Sequence, residues 1–153
     1  MNATLRTQLT RYDDPVVRRL EDTVQAEYVV RYGGPDRTAV AVEEFDPPAG
    51  AFLVGWIDGE AVACGGFRAH GPDAEVKRMF VPVEHRGRGY ARSILVELEL
   101  LARAAGYPRI ILETGTAQPE AIALYRSAGY QPIPGFGHYR DSPHNLCFAK
   151  RLA

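Results

Sequence analysis

The stretch of this chain richest in groups that could do chemistry is His85-Arg86-Gly87-Arg88-Gly89-Tyr90-Ala91, placed between a strand-like run and a helix-like one. The first backbone N–H groups of a helix lack intrahelical partners and carry the positive end of the helix dipole, so a glycine-containing entry to a helix can cradle a phosphate. Gly87 and Gly89 would let the backbone curl close to such an anion, and Arg86 and Arg88 add positive charge. The spacing is neither the P-loop, whose Lys-Ser/Thr ending is missing, nor Gly-x-Gly-x-x-Gly. Taken alone, the same residues also describe an ordinary glycine turn with solvated arginines. Metal chemistry has less support: His70, His85, His138 and His144 lack helix-spaced His or acidic partners, and read as loop residues. Cys64 and Cys147 lie far apart in apolar stretches without metal-ligand spacing, and read as small buried hydrophobes.

The elements that must position this loop follow from hydrophobic spacing. Leu5 to Thr10 alternates with period two and predicts a half-buried first strand. Asp13-Asp14-Pro15 is a helix start, Val16, Val17, Leu20, Val24 and Tyr28 fall on one face, and Gly33-Gly34-Pro35 ends the helix. Asp36 to Gly50 reads as a loop or short helix. Ala51 to Ile57, a turn at Asp58-Gly59 and Glu60 to Arg68 form a hairpin, and Ala74 to Val81 is a further strand. The helix after Arg86 places Ala91, Leu95, Leu98, Ala102 and Ala105 on one face, with Gly106 past its end. Arg109 to Thr114 suits a strand buried on both faces. Pro119 opens a helix that Gly129 closes, and Tyr130 to Ile133 and Asn145 to Arg151 are the last strands. This is an α/β order, with a strand-helix-strand crossover from Glu75 to Thr114 that demands locally parallel strands.

At 153 residues, with 46% hydrophobic and 24% charged residues, the chain suits one soluble globular domain. Its 18 basic and 19 acidic residues leave a net charge of -1, against a globally basic nucleic-acid binder, so an anion site must be local. The start Met1-Asn2-Ala3-Thr4-Leu5-Arg6 does not read as a signal peptide, and Ala49 to Ile57, the most apolar stretch, is short for a membrane span. The expected address is cytoplasmic.

Arg86, Gly89 and Ala91 fit the pattern Arg/Gln-x-x-Gly-x-Gly/Ala, and the sequence here resembles the GNAT superfamily of N-acetyltransferases. Met79-Phe80-Val81-Pro82 is similar to the end of that family's fourth strand, and Gln118 through Tyr130, with Leu124-Tyr125, to its later helix. By element order the resemblance runs from Ala51 to Ala153, and it is specific from Glu75 to Tyr130. It implies a single-domain α/β fold over residues 1–153, with a mixed central sheet of about six to seven strands flanked by helices. Residues 1–50 would form the variable acceptor side, and 51–153 the cofactor core and last strands.

The resemblance further implies acetyl-CoA as cosubstrate. Its pyrophosphate would rest on Arg86, Gly87, Arg88, Gly89, Tyr90 and Ala91, and its pantetheine arm would pair with Phe80 and Val81 in a splay between the fourth and fifth strands, with Gln118 also at the cofactor site. A main-chain N–H near Phe80 would polarise the thioester. Tyr125 matches the family's acid and Glu75 the offset of a catalytic glutamate; Glu113 is the rival, or pairs with Lys77 or Arg78, and a water chain is the third possibility. The acceptor site would draw on Tyr28, Tyr32, Arg78, Glu113, His138 and Tyr139, with Arg78 or Arg140 for a substrate carboxylate. The expected activity is acetyl transfer to a primary amine of a small molecule by direct attack. The alternatives are a protein or peptide amine and a noncatalytic acyl-CoA sensor. No nucleic-acid, membrane or metal partner is expected, and a homodimer is compatible with this reading.

Overall fold

Asp14 accepts a hydrogen bond from the Val16 amide and Pro15 occupies the first turn, so α1 (Pro15–Tyr32) begins at the predicted cap; Gly33, at φ 79°, ends it. The computed structural model describes residues 4–152. After α1 the chain passes through a short 3-10 helix (Val42–Phe45) to the hairpin of β2 (Ala51–Ile57) and β3 (Glu60–His70), preceded in sequence by β1 (Arg6–Leu9). The remaining elements are β4 (Asp73–Phe80), α2 (Tyr90–Ala104), β5 (Arg109–Gly115), α3 (Pro119–Ser127), β6 (Gln131–Ile133) and β7 (Asn145–Arg151). The strands form one sheet in the order β1-β2-β3-β4-β5-β7-β6. Among the described residues, only β4 and β5 run parallel, as the α2 crossover requires.

Side-chain alternation divides the core into two layers. Phe52, Val54 and Phe80 pack with Val16, Val17, Leu20 and Val24 of α1. Leu53, Ala74, Val76, Ile110 and Leu112 turn the other way and pack with Ile94, Leu95, Leu98 and Ala102 of α2 and with Tyr125 of α3. Two expectations need correction. Ala105 is exposed, because α2 ends at Ala104 and the chain turns away at Gly106. Leu9 is 52% exposed, because it ends a four-residue strand at the edge of the sheet.

The irregular part of the sheet matters most for function. Cys64 pairs with Phe80 and Gly66 with Lys77, so Arg78 and Met79 together face a single residue of β3, which makes a β-bulge. Arg78 has φ 60°, the left-handed region that side-chain-bearing residues avoid. On its other side β4 pairs with β5 only at Ala74–Ile110 and Glu75–Ile111, and beyond those rungs the two strands part. The Arg78 guanidinium fixes the bulge by pairing with Asp36, by lying 3.2 Å from Glu21, and by donating to the Tyr12 hydroxyl at 3.3 Å and the Thr38 carbonyl at 3.3 Å.

Burial works to raise the proton affinity of Asp36, but Lys77 and Arg78 outweigh it and hold the carboxyl below its ordinary range. A group whose folded pKa lies below its unfolded one stabilises at higher pH and loses that contribution as pH falls through the folded value. We therefore expect Asp36→Asn to destabilise the protein by about 3 kcal/mol at pH 7, leaving a buried arginine short of its main partner. The deficit should shrink as pH falls below about 4, where Asp36 of the unfolded chain protonates first and the native carboxylate, held lower, follows. Urea unfolding of both proteins at pH 7 and pH 3.5 measures it; equal stability at pH 7 would contradict it.

Candidate active site

Where β4 and β5 part, two cavities open that share Tyr28, Met79, Gln118, Ala121 and Tyr125 in their walls, and so form two chambers of one cleft. The chamber of about 500 Å³ lies against the end of β4 and the start of α2 and includes Phe80, Val81, Arg86, Gly87, Gly89, Tyr90 and Ala91. The chamber of about 410 Å³ lies between α1, the splayed strands and the β6–β7 loop, and includes Arg78, Glu113 and Tyr139. Of the residues expected at the site, Arg88, Glu75, His138 and Arg140 line neither chamber.

The first chamber ends at the entry to α2. Gly89 caps the helix at φ 82° without a side-chain hydrogen bond, and Gly87 lies at φ 79°. A Cβ added at either glycine would meet nothing within 4 Å, so that face of the loop is open. Arg86 differs from expectation, because its side chain serves the protein. Its Nε donates to the Val81 carbonyl at 2.9 Å, and its guanidinium pairs with Glu27 of α1 at 2.6 Å. Burial works to raise the Glu27 carboxyl, and the hydrogen bond and charge of Arg86 outweigh it and hold it low. Arg86 thereby ties α1 to the loop, while Arg88 is exposed and off the wall.

Tyr125, on α3, stands at the junction of the chambers. Its ring packs against Tyr130 and Phe148, with centroids 5.7 and 6.5 Å away, and burial pushes its proton affinity upward. Tyr28 is shifted the same way, again by burial first. Both phenols are therefore protonated at neutral pH and available as donors.

Glu113, on β5, is the acidic group that faces the second chamber from the sheet. Its Oε1 lies 3.4 Å from Lys77 Nζ, and its buried Oε2 has no hydrogen-bond partner among the described residues. Burial raises its proton affinity, and Lys77 opposes the rise only in part. Glu75, expected to be the base, is 2% exposed, and its carboxylate lies 3.1 Å from Arg68 and 3.9 Å from Lys77. Ion-pairing inside the sheet keeps it out of the cleft.

The acceptor-side expectations divide in the same way. Arg78 lines the chamber, but its donors are taken by Asp36, Tyr12 and Thr38, and Arg140 lines neither chamber; neither is therefore the free cation expected for a substrate carboxylate. Tyr139 lines the wall and its hydroxyl accepts from the Arg37 amide at 2.7 Å, bridging the β6–β7 loop to the segment after α1. His138 is exposed and packs on Tyr139 at 4.6 Å. His144, read as a loop residue, does lie in a loop, yet it lines the chamber; no local spacing marks it. Gly115 was also missed: a Cβ there would collide with the Tyr32 hydroxyl, which accepts from Gln118 Nε2 at 3.2 Å. Among the described residues there is no group of His, Cys, Asp and Glu able to hold a metal ion, and no helix is long and apolar enough to cross a membrane.

Comparison with known proteins agrees with this geometry. The profile of the acetyltransferase (GNAT) family matches residues 17–130. The IAA acetyltransferase of Azospirillum brasilense is 42% identical over 103 residues, which cover 66% of this chain and 67% of that protein. An acyl-CoA N-acyltransferase structure from Klebsiella pneumoniae superposes with a TM-score of 0.86 at 27% identity, covering 99% of this chain and 100% of that one. A GNAT family acetyltransferase from Elizabethkingia anophelis, solved with acetyl-CoA bound, shares the fold at a TM-score of 0.70 and 12% identity, over 96% of this chain and 97% of its own. The matched residues carry the bulged β4, the glycine-rich entry to α2, the parted β4–β5 pair and Tyr125, and the chain belongs to the GNAT family of acetyltransferases.

Proposed function

We propose that this protein transfers the acetyl group of acetyl-CoA to a primary amine of a small molecule, by direct attack while both substrates are bound. The observation that carries this reading is the two-chamber cleft, with Tyr125 and the end of β4 between the chambers. The first chamber fits the cosubstrate, since an uncapped helix start with two left-handed glycines suits a pyrophosphate. When bound, acetyl-CoA supplies an activated thioester. The N–H groups from Gly87 to Ala91 hold the pyrophosphate, and the main chain of Phe80 and Val81, at the free end of β4, pairs with the pantetheine arm. A main-chain N–H beside Phe80 polarises the thioester carbonyl.

Proton management falls to Glu113 and Tyr125, both groups of the cleft whose proton affinity burial raises. Glu113 Oε2, without a partner among the described residues, takes a proton from the acceptor ammonium. In this reading Glu113 takes the role first expected of Glu75. Tyr125 donates from its hydroxyl to the departing sulfur, and the proton that the attacking nitrogen sheds as the amide forms restores the phenol. The acceptor is a small molecule because the second chamber is narrow, about 410 Å³, and the Arg37–Tyr139 hydrogen bond crosses beside it where an extended peptide would need an open groove. The test is thiol release from acetyl-CoA against a panel of amino acids, polyamines, aminoglycosides and peptides; turnover confined to peptides would overturn the acceptor class.

Three variants probe the assignments. Asp and Asn at Gly89 both bear the strain of a left-handed position and differ in charge, so Gly89→Asp should bind acetyl-CoA at least about tenfold more weakly than Gly89→Asn in calorimetry. Equal affinities would remove the pyrophosphate from this loop. Tyr125→Phe keeps the ring and deletes the donor, so turnover should fall by about 10²–10⁴-fold with stability preserved; unchanged turnover would leave Tyr125 as packing alone. For a base with a raised pKa, kcat/KM rises with pH through a limb above the ordinary glutamate value of about 4.3. Glu113→Gln should abolish that limb and recover activity only as the amine loses its own proton near pH ~10; a persisting limb would exclude Glu113.

A further inference from the structure

Behind the second chamber the sheet carries a file of charges of alternating sign. Arg68 lies between Glu44 and Glu75, at 3.3 and 3.1 Å, and Lys77 lies between Glu75 and Glu113, at 3.9 and 3.4 Å. The side chains of Glu75, Lys77 and Glu113 are 2, 5 and 8% exposed. Strand geometry puts these three together. Ala74, Val76 and Leu112 turn toward α2, so Glu75, Lys77 and Glu113 all leave the opposite face of the sheet. Glu75–Ile111 is the last rung that β4 and β5 share, and Lys77 and Glu113 each lie two residues beyond it, across the opening of the splay.

Burying four such charges is costly unless each is paired, and an apolar set of the same volume would pack more cheaply. What the file supplies is control over Glu113. A lysine between two carboxylates serves neither fully. Its charge favours the ionised form of Glu113, while the charge of Glu75 disfavours that form and draws the ammonium toward itself. The other titratable groups facing Glu113 are Asp36 after α1, Tyr139 of the β6–β7 loop and Cys147 of β7. They are common to every variant considered below.

We propose that Glu75 is a positioning residue for proton transfer: by sharing Lys77 with Glu113 it weakens the Lys77–Glu113 ion pair, so that Glu113 can accept the acceptor's proton. The proposal rests on the reading of Glu113 as the base. In the step concerned, an ammonium N–H bond breaks, its electron pair stays on nitrogen, and the proton forms an O–H bond at Glu113 Oε2. Bulk water later receives that proton, and the carboxylate is restored.

The test reads two quantities on the full chain. One is the titration of the Glu113 carboxyl by carbon-13 NMR, assigned with Glu113→Gln. The other is the acid limb of kcat/KM with acetyl-CoA and the most active amine of the panel. Glu75→Gln should move both to lower pH by about one unit, and Lys77→Met should move both to higher pH by about one unit or more. Lys77→Arg should return both toward the native position. Should Glu75→Gln not fold, Glu75→Asp draws the charge back from Lys77 and should give a smaller downward shift. A Glu113 titration that ignores both positions, or moves the same way for both, overturns the proposal and leaves the base assignment standing. A titration that shifts as expected while the kinetic limb stays fixed overturns the base assignment, and the role of Glu75 with it.

Discussion

Arg78 takes a left-handed backbone conformation inside a strand, and its guanidinium is held there by Asp36, Glu21 and Tyr12; the cleft depends on that pairing. A left-handed residue bearing a side chain costs about 1–2 kcal/mol, so the bulge needs compensation from outside the strand. The ion pairs supply it. With the bulge in place the end of β4 turns out of register with β3, β5 follows its own course beyond Ile111, and two chambers open in what would otherwise be continuous sheet. The same partners tie α1 and the segment after it to β4, so the walls of both chambers are built on one anchored strand.

Charges inside the protein do more of the building than of the binding. Arg86 spends its guanidinium on Glu27 and the Val81 carbonyl, which ties α1 to the loop between β4 and α2 and, in the proposed reading, leaves anion binding to backbone N–H groups. Arg78 is similarly taken up. Glu113, which lines the cleft, keeps one buried oxygen, Oε2, without a partner among the described residues. A carboxylate so placed has its proton affinity raised by burial, with one lysine opposing the rise, and a raised affinity suits a proton acceptor.

Much of this could be read from the sequence because it is local. The two glycines before α2, the Asp14-Pro15 helix start and the Asp58-Gly59 turn each fix a backbone conformation by themselves, and the order of elements follows from them. The roles of the arginines were not legible, because their partners, Glu21, Glu27 and Asp36, come from the first fifty residues, where spacing shows only a strand and a helix. Spacing alone does not separate Glu75, the base first expected, from Glu113, for a related reason. Both point from the same face of the sheet, and what separates them is where β4 and β5 part, a tertiary property set by the bulge that begins three residues after the last shared rung. His138 and His144 sit in one loop, and only its fold puts the second on the wall and the first in solvent.

The central claim is that one continuous cleft holds both substrates, with Tyr125 and the bulged strand between them, so that the acetyl group passes directly from sulfur to nitrogen. Initial rates of thiol release, measured while acetyl-CoA and an acceptor amine are varied together, test it most directly. The cleft geometry predicts double-reciprocal lines that intersect, the pattern of a ternary complex. Parallel lines, together with an acetylated enzyme isolable in the absence of amine, would contradict it.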